Sequence, residues 1–180
     1  NQSRRQRQMC IRDRFRRERR GAKGRTQEIE RLVARSLRAA VDLEELGPIA
    51  LNVDCDILNA DGGTRCASIT AANLALRLGV RRLIAAGICL PQNMRPTEEQ
   101  RRSGWSAPVL SGDEKKAHEM RVMPHDVAAI SVGLIDGKSY LDLDYNLDSN
   151  ADVDMNVVKV SDGSFVAVSY THLRAHETET

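Results

Sequence analysis

The stretch Val127-Ala128-Ala129-Ile130-Ser131-Val132-Gly133-Leu134-Ile135-Asp136-Gly137-Lys138-Ser139-Tyr140-Leu141-Asp142-Leu143 decides the fold class. Two runs, Val127–Ile135 and Lys138–Leu143, flank Asp136-Gly137. Asp-Gly between apolar runs is a strong hairpin signal, because the favoured two-residue turn needs positive φ at both positions. A second pair, Asn156–Val160 and Ser164–Val168, flanks Asp162-Gly163 in the same way. Strands joined by tight turns pair antiparallel, so this part of the chain predicts a four-stranded, mostly antiparallel sheet.

Upstream the periodicity changes. From Thr26 to Leu46 a helix is predicted, with Ile29, Leu32, Val33, Leu37, Ala40 and Val41 on one stripe and Arg31, Arg35 and Arg38 off it. Thr26 is its expected N-cap and Gly47-Pro48 its stop. Ile49–Leu58 alternates Ile49, Leu51, Val53, Cys55 and Ile57 with polar residues, which predicts a strand. The turn Asp61-Gly62-Gly63-Thr64-Arg65 then feeds a helix to Ile84. Ala67, Ser68, Ala71 and Ala72 at its start are small enough for it to lie close against the sheet. Residues 88–125, with Pro91, Pro96, Pro108, Pro124 and the lone Trp105, read as a long loop or insert. Helices followed by a run of strands indicate an α+β domain, helices packed on a mostly antiparallel sheet.

Composition bounds the function. The chain has 180 residues, enough for one domain with a core, and its aromatic content of 3% leaves that core to Leu, Ile, Val and Ala. No run approaches the ~18 consecutive apolar residues of a membrane span, and no secretory signal pattern opens the chain. Cys10, Cys55, Cys66 and Cys89 show no C-x-x-C spacing and are expected to be free thiols, with Cys55 and Cys66 in core elements. A cytoplasmic location is expected. Residues 1–25 hold eleven Lys or Arg against Asp13 and Glu18, a charge of +9, so the remainder carries −7 to reach the total of +2. A basic arm on a mildly acidic body fits a polyanion partner or a solvated tail.

Three places could carry chemistry. At Gly62-Gly63-Thr64-Arg65 the glycines let backbone N–H groups turn outward at a helix N-terminus, Thr64 adds a hydroxyl and Arg65 a two-pronged donor. This is an anion site or an ordinary capped turn; it is neither a Walker loop nor a dinucleotide fingerprint. Asp142 to Asp154 holds Asp142, Asp144, Asp148, Asp152 and Asp154 with no Lys or Arg. It fails as an EF-hand, with Leu147 at the sixth position and Val153 at the twelfth, leaving a looser Mg²⁺ site or a solvated acidic loop. His172 and His176 are spaced for one helix face but lack a third ligand.

Five ordered blocks resemble the ribonuclease PH family along residues 21–168. They are Gly24-Arg25-Thr26-Gln27-Glu28-Ile29, Arg35-Ser36-Leu37-Arg38-Ala39, Asp54-Cys55-Asp56, Ala60-Asp61-Gly62-Gly63-Thr64-Arg65-Cys66-Ala67-Ser68-Ile69-Thr70, and Asp148-Ser149-Asn150-Ala151-Asp152-Val153-Asp154-Met155-Asn156. The resemblance implies that family's α+β fold, here incomplete at both ends. It also implies the family's activity, phosphorolytic 3′→5′ exoribonuclease and tRNA nucleotidyltransferase. Inorganic phosphate attacks the terminal phosphodiester of tRNA precursors and some rRNA ends, releasing nucleoside diphosphates.

Residue by residue, Arg25, Gly63, Thr64 and Arg65 match the family's phosphate-binding positions. Asp148 and Asp154 match its carboxylate pair, assigned to catalysis and to Mg²⁺. The implied partners are RNA and further copies of the chain, in a hexameric ring of three dimers. Alternatives are a non-catalytic exosome-like ring subunit that binds RNA and a domain of polynucleotide phosphorylase. Residues 1–20 and 169–180 depart from the family and resemble translated adaptor sequence. They are expected to be disordered or foreign, and the chain as given to be a poor enzyme and ring-former.

Overall fold

The computed structural model describes residues 24–172, without the side chains of Arg25 and of residues 169–172. The expectations for residues 1–20, for residues 173–180 and for the His172/His176 pair therefore lie outside the described residues, whereas residues 169–172, expected to belong to a disordered or foreign tail, pair as strand with Val153–Asn156. The chain divides after Arg31 into two units. Helix α1, Gly24–Ala40, supplies the described part of the first unit and opens the second.

Within the second unit Leu32, Leu37 and Ala40 enter the core while Arg35 and Arg38 face solvent, as the stripe requires. Thr26 lies inside α1 and is not its cap. Nor is the helix continuous to Leu46. It breaks at Asp42, whose carboxylate accepts from the Glu44 and Glu45 N–H groups at 2.9 and 3.0 Å and starts a new turn, α2 (Leu43–Leu46). An Asp side chain that competes for backbone donors favours caps over helix interiors. Gly47, at φ 80°, ends α2.

The expected strand Ile49–Leu58 is not one: this segment has no ladder partner among the described residues, and Cys55 is exposed rather than in the core. Cys66 and Cys89 are buried, and all three thiols are free. Helix α3, Thr64–Ala85, follows. Its buried side is Cys66, Ile69, Asn73, Leu76, Val80 and Ile84, joined by Ser68 and Ala72. Ala67 and Ala71 face outward, so only half of the small residues serve close packing.

Residues 88–125 are not a loop throughout. They hold α4 (Glu98–Arg102) and α5 (Gly112–Val122), each opened by a capping box, Thr97 with Gln100 and Ser111 with Glu114. Those Thr-x-x-Gln and Ser-x-x-Glu spacings were the readable signals. Helix α5 is clamped to α3. Glu119 receives Arg77 at 3.3 Å and Arg81 at 2.7 Å, and Arg77 also reaches Asp126 at 2.9 Å, just before the sheet.

The sheet contains β1 (Val127–Ile135), β2 (Lys138–Leu141), β3 (Val153–Val160) and β4 (Phe165–His172), in the order β2-β1-β3-β4, all antiparallel. Asp136 and Gly137 take φ of 49° and 74°, the turn that their dipeptide predicts. Register pairs Val127 with Val160, Ala129 with Val158, Ser131 with Asn156 and Gly133 with Asp154. Paired residues share a face, and α3 packs on this one. The core lies between them, with Ile69, Val80, Val122, Met123 and Val158 fully buried. Helices on one face of an antiparallel sheet make the fold α+β.

Candidate functional site

The glycine turn sits where α3 begins. Gly63 is the N-cap, in the left-handed region at φ 69°, and no side chain caps the helix. The first turn of α3 contains no acidic residue. Thr64 and Arg65 are therefore presented at a helix N-terminus, whose partial positive charge favours an anion. Neither glycine is replaceable cheaply. A Cβ at Gly62 would fall 2.0 Å from the Leu143 carbonyl oxygen, and one at Gly63 would fall 3.1 Å from Ser131 Oγ.

Those contacts show what the turn rests on. The segment after β2 folds back across it. Asp142 N–H donates to the Ser131 carbonyl at 2.8 Å, and Leu143 N–H donates to Ser131 Oγ at 3.1 Å. Leu143 is buried against Gly133, where any larger residue would collide with it. The chain then enters the short helix α6, Tyr145–Asn150. Its first amides are held by two carboxylates: Leu147 N–H donates to Asp144 at 2.8 Å, and Tyr145 N–H donates to Asp61 at 2.6 Å. Helix α6 carries Asp148, and β3 carries Asp154 opposite Gly133.

Three of the expected residues are electrostatically coupled. Burial raises the Asp154 carboxyl above its usual pKa, the charge of Asp148 raises it further, and the Arg65 guanidinium opposes both. Behind them Cys66 donates its S–H to Asn156 Oδ1 at 3.2 Å. Burial and the nearby Asp154 carboxylate push that thiol up to about 11, so it stays protonated and is a poor nucleophile. Arg25 lies on α1, but its side chain is outside the description, so the structure does not join it to the others.

Among the described residues no group of three or more His, Cys, Asp and Glu could hold a metal by itself. Asp148 and Asp154 nevertheless fit Mg²⁺, which commonly takes one or two carboxylates and fills its remaining positions with water and substrate phosphate. Repulsion that raises one carboxyl is what a cation between the two would relieve. The supporting residues Asp61, Ser131 and Asn156 were not singled out from sequence. Ser131 and Asn156 had a signal, being polar at buried-face positions of strands; Asp61 had none, because its partner is 84 residues away.

The family model described as "3' exoribonuclease family, domain 1" matches residues 5–79, and the model for domain 2 of the same family matches residues 125–174. The two matches extend outside residues 21–168, on which the resemblance was drawn. Ribonuclease PH of Synechococcus sp. (strain CC9605) is 43% identical over 148 residues, covering 82% of this chain and 48% of that protein. Ribonuclease PH of Corynebacterium efficiens is 46% identical over 149 residues, covering 83% of this chain and 49% of that protein. The chain thus spans about half the length of these curated relatives. Both domains of one family, matched in order across more than half of the residues and around the glycine turn and the sheet, show that the chain belongs to the ribonuclease PH family of 3′ exoribonucleases.

Proposed function

We propose that this chain carries the phosphate site and the carboxylate pair of a phosphorolytic 3′→5′ exoribonuclease acting on tRNA precursors, and on rRNA ends as a further substrate. The observation that carries the reading is that the turn presenting Thr64 and Arg65 packs on the segment leading into α6, so that the charges of Arg65 and Asp148 both act on the Asp154 carboxyl. A phosphate oxygen attacks the last phosphodiester phosphorus, the bond from phosphorus to the 3′ oxygen breaks, and a nucleoside diphosphate leaves as the shortened RNA takes up a proton. Two anions must meet in this step. At ~4 Å and an effective dielectric of ~20 each pair of unit charges interacts by about 4 kcal/mol, so positive charge is needed at the nucleophile. Arg65, the Thr64 hydroxyl and the N–H groups beyond Gly63 bind and orient that phosphate, with Arg25 as a second cation. Mg²⁺ held by Asp148 and Asp154 would stabilise the departing 3′ oxygen. Cytoplasmic location, assembly as a hexameric ring of three dimers, and nucleotidyltransferase action in reverse belong to the same proposal.

The competing reading, a non-catalytic ring subunit that only binds RNA, is disfavoured because Arg25, Gly63, Thr64, Arg65, Asp148 and Asp154 are all present. The test is incubation of the full gene product with a 3′-extended tRNA, with and without phosphate. Nucleoside diphosphates released only with phosphate support phosphorolysis. Monophosphates released without phosphate would establish hydrolysis instead, and RNA binding without release would establish the non-catalytic reading.

A further inference from the structure

We infer that Asp61 is a positioning residue, which fixes the helix bearing Asp148 onto the turn bearing Thr64 and Arg65 so that the anion-binding and carboxylate halves of the site form one unit. Helix α6 is six residues long and has no buried residue of its own. A helix this short does not persist by itself, since the nucleation cost is spread over too few hydrogen bonds. Its position is therefore set by what holds its ends. At the C-terminal end Ala151 is buried, and Asp152 N–H donates to the Leu134 carbonyl at 2.8 Å. At the N-terminal end the Asp61 carboxylate receives the Tyr145 N–H at 2.6 Å, a short, charge-assisted bond across 84 residues of sequence.

Asp61 reaches that amide because Gly62, the next residue, has no side chain. The Leu143 and Asp144 backbone occupies the space that a Cβ would need. Without the Asp61 bond, Leu143 still anchors the approach to α6 and Ala151 its exit, but the Tyr145 amide, three residues before Asp148, loses its acceptor and the first turn of α6 loosens. The cost falls on Asp148 and on metal affinity, and spares the phosphate contacts of Thr64 and Arg65. Partners that orient metal-binding side chains typically carry ten- to hundredfold effects on metal affinity or activity.

The inference rests on the proposed function only for its kinetic readouts. The test compares Asp61→Ala, Asp61→Asn and the double variant Asp61→Ala/Asp148→Asn in the full gene product. Exchange at the Tyr145 amide, the Mg²⁺ concentration giving half-maximal rate, kcat and the KM for phosphate are measured. Asp61→Ala is expected to lose Tyr145 protection, to raise the Mg²⁺ requirement about tenfold and to lower kcat ten- to hundredfold. The phosphate KM should stay within about twofold. Asp61→Asn keeps an acceptor oxygen and should restore most of the rate, which a metal ligand in need of its charge would not allow. The double variant should be no slower than Asp148→Asn alone. Unchanged Tyr145 protection in Asp61→Ala, a phosphate KM rising with the Mg²⁺ requirement, no recovery in Asp61→Asn, or a further loss in the double variant would each overturn the assignment. If the unaltered protein releases no nucleotide, the functional reading fails separately, and Tyr145 exchange alone decides whether Asp61 holds α6.

Discussion

Val127–Ile135 and residues 49–58 are both predicted as strands, and only the first is one. Val127–Ile135 is a central strand, flanked by β2 and β3 and covered by α3, with Val127 and Ser131 each 2% exposed. Residues 49–58 are unladdered among the described residues, with Val53 and Ile57 each 40% exposed and Leu58 73%. The first is a nearly continuous apolar run and the second an alternation of apolar with polar residues. The first has a tight Asp-Gly turn that delivers a neighbouring strand within two residues, while nothing near residues 49–58 in sequence delivers one. Alternation reports that one face of a segment is suited to burial; the ladder and the covering layer must come from elsewhere.

The comparison can be sharpened by substitution, beginning where the largest loss is expected. Ile69, fully buried between α3 and the sheet, should cost about 2–5 kcal/mol when replaced by Ala, measured by denaturant unfolding. A loss below 1 kcal/mol would mean that α3 does not cover β1 in solution. Arg77→Ala comes next. It removes the partner of Glu119 and Asp126 and two bonds to the carbonyls of Met123 and His125, all at the entry to β1. A loss of about 2–3 kcal/mol is expected, because Glu119 is left partly buried with one cation fewer. Recovery of full stability by the paired change Arg77→Met/Glu119→Leu would agree with this. Unchanged stability in Arg77→Ala would remove the clamp from the account.

A smaller, pH-dependent effect should come from His118 on α5. It is fully buried, 3.6 Å from Cys89 Sγ, 3.6 Å from Glu45 and 3.5 Å from Arg121. Burial, then the Arg121 charge, lower its pKa below the usual value of 6.5, Glu45 pulls the other way, and Arg95 adds to the lowering. The unfolded chain therefore binds this proton more readily than the folded one. Stability contributed by neutral His118 is intact above pH 6.5 and declines as pH falls through 6.5 toward the lowered folded value. His118→Gln should flatten the decline of melting temperature between pH 7 and 5; an unchanged slope would assign it to other groups. The smallest effect belongs to the unladdered segment. Ile57→Ser should change stability by less than about 0.5 kcal/mol, the range of exposed sites. A loss of 2 kcal/mol would show that residues 49–58 acquire a covering partner in solution.

Much of the fold was legible because it is local. The α1 stripe, the extent of α3 and the hairpin at Asp136-Gly137 depend on residues within a few positions of one another, and each is found where the pattern predicts. The capping boxes at Thr97 and Ser111 are equally local, but the prolines and charges around them mask the helical signal. The break at Asp42 was a local competition for backbone donors that the apolar stripe hides.

Sequence by itself determined the hairpins, the stripe of α1, the glycine turn opening α3 and the residues of the family's blocks, since each is carried by spacing along the chain. Tertiary structure alone decided that residues 49–58 have no ladder among the described residues, that Ala67 and Ala71 face away from the sheet, and that Asp61 holds the helix of Asp148. Dihedral preference and side-chain periodicity act over a turn of helix or a pair of strands. A bond between residues 84 apart exists only after the β1–β2 hairpin and α3 have packed and brought Gly62 against Leu143.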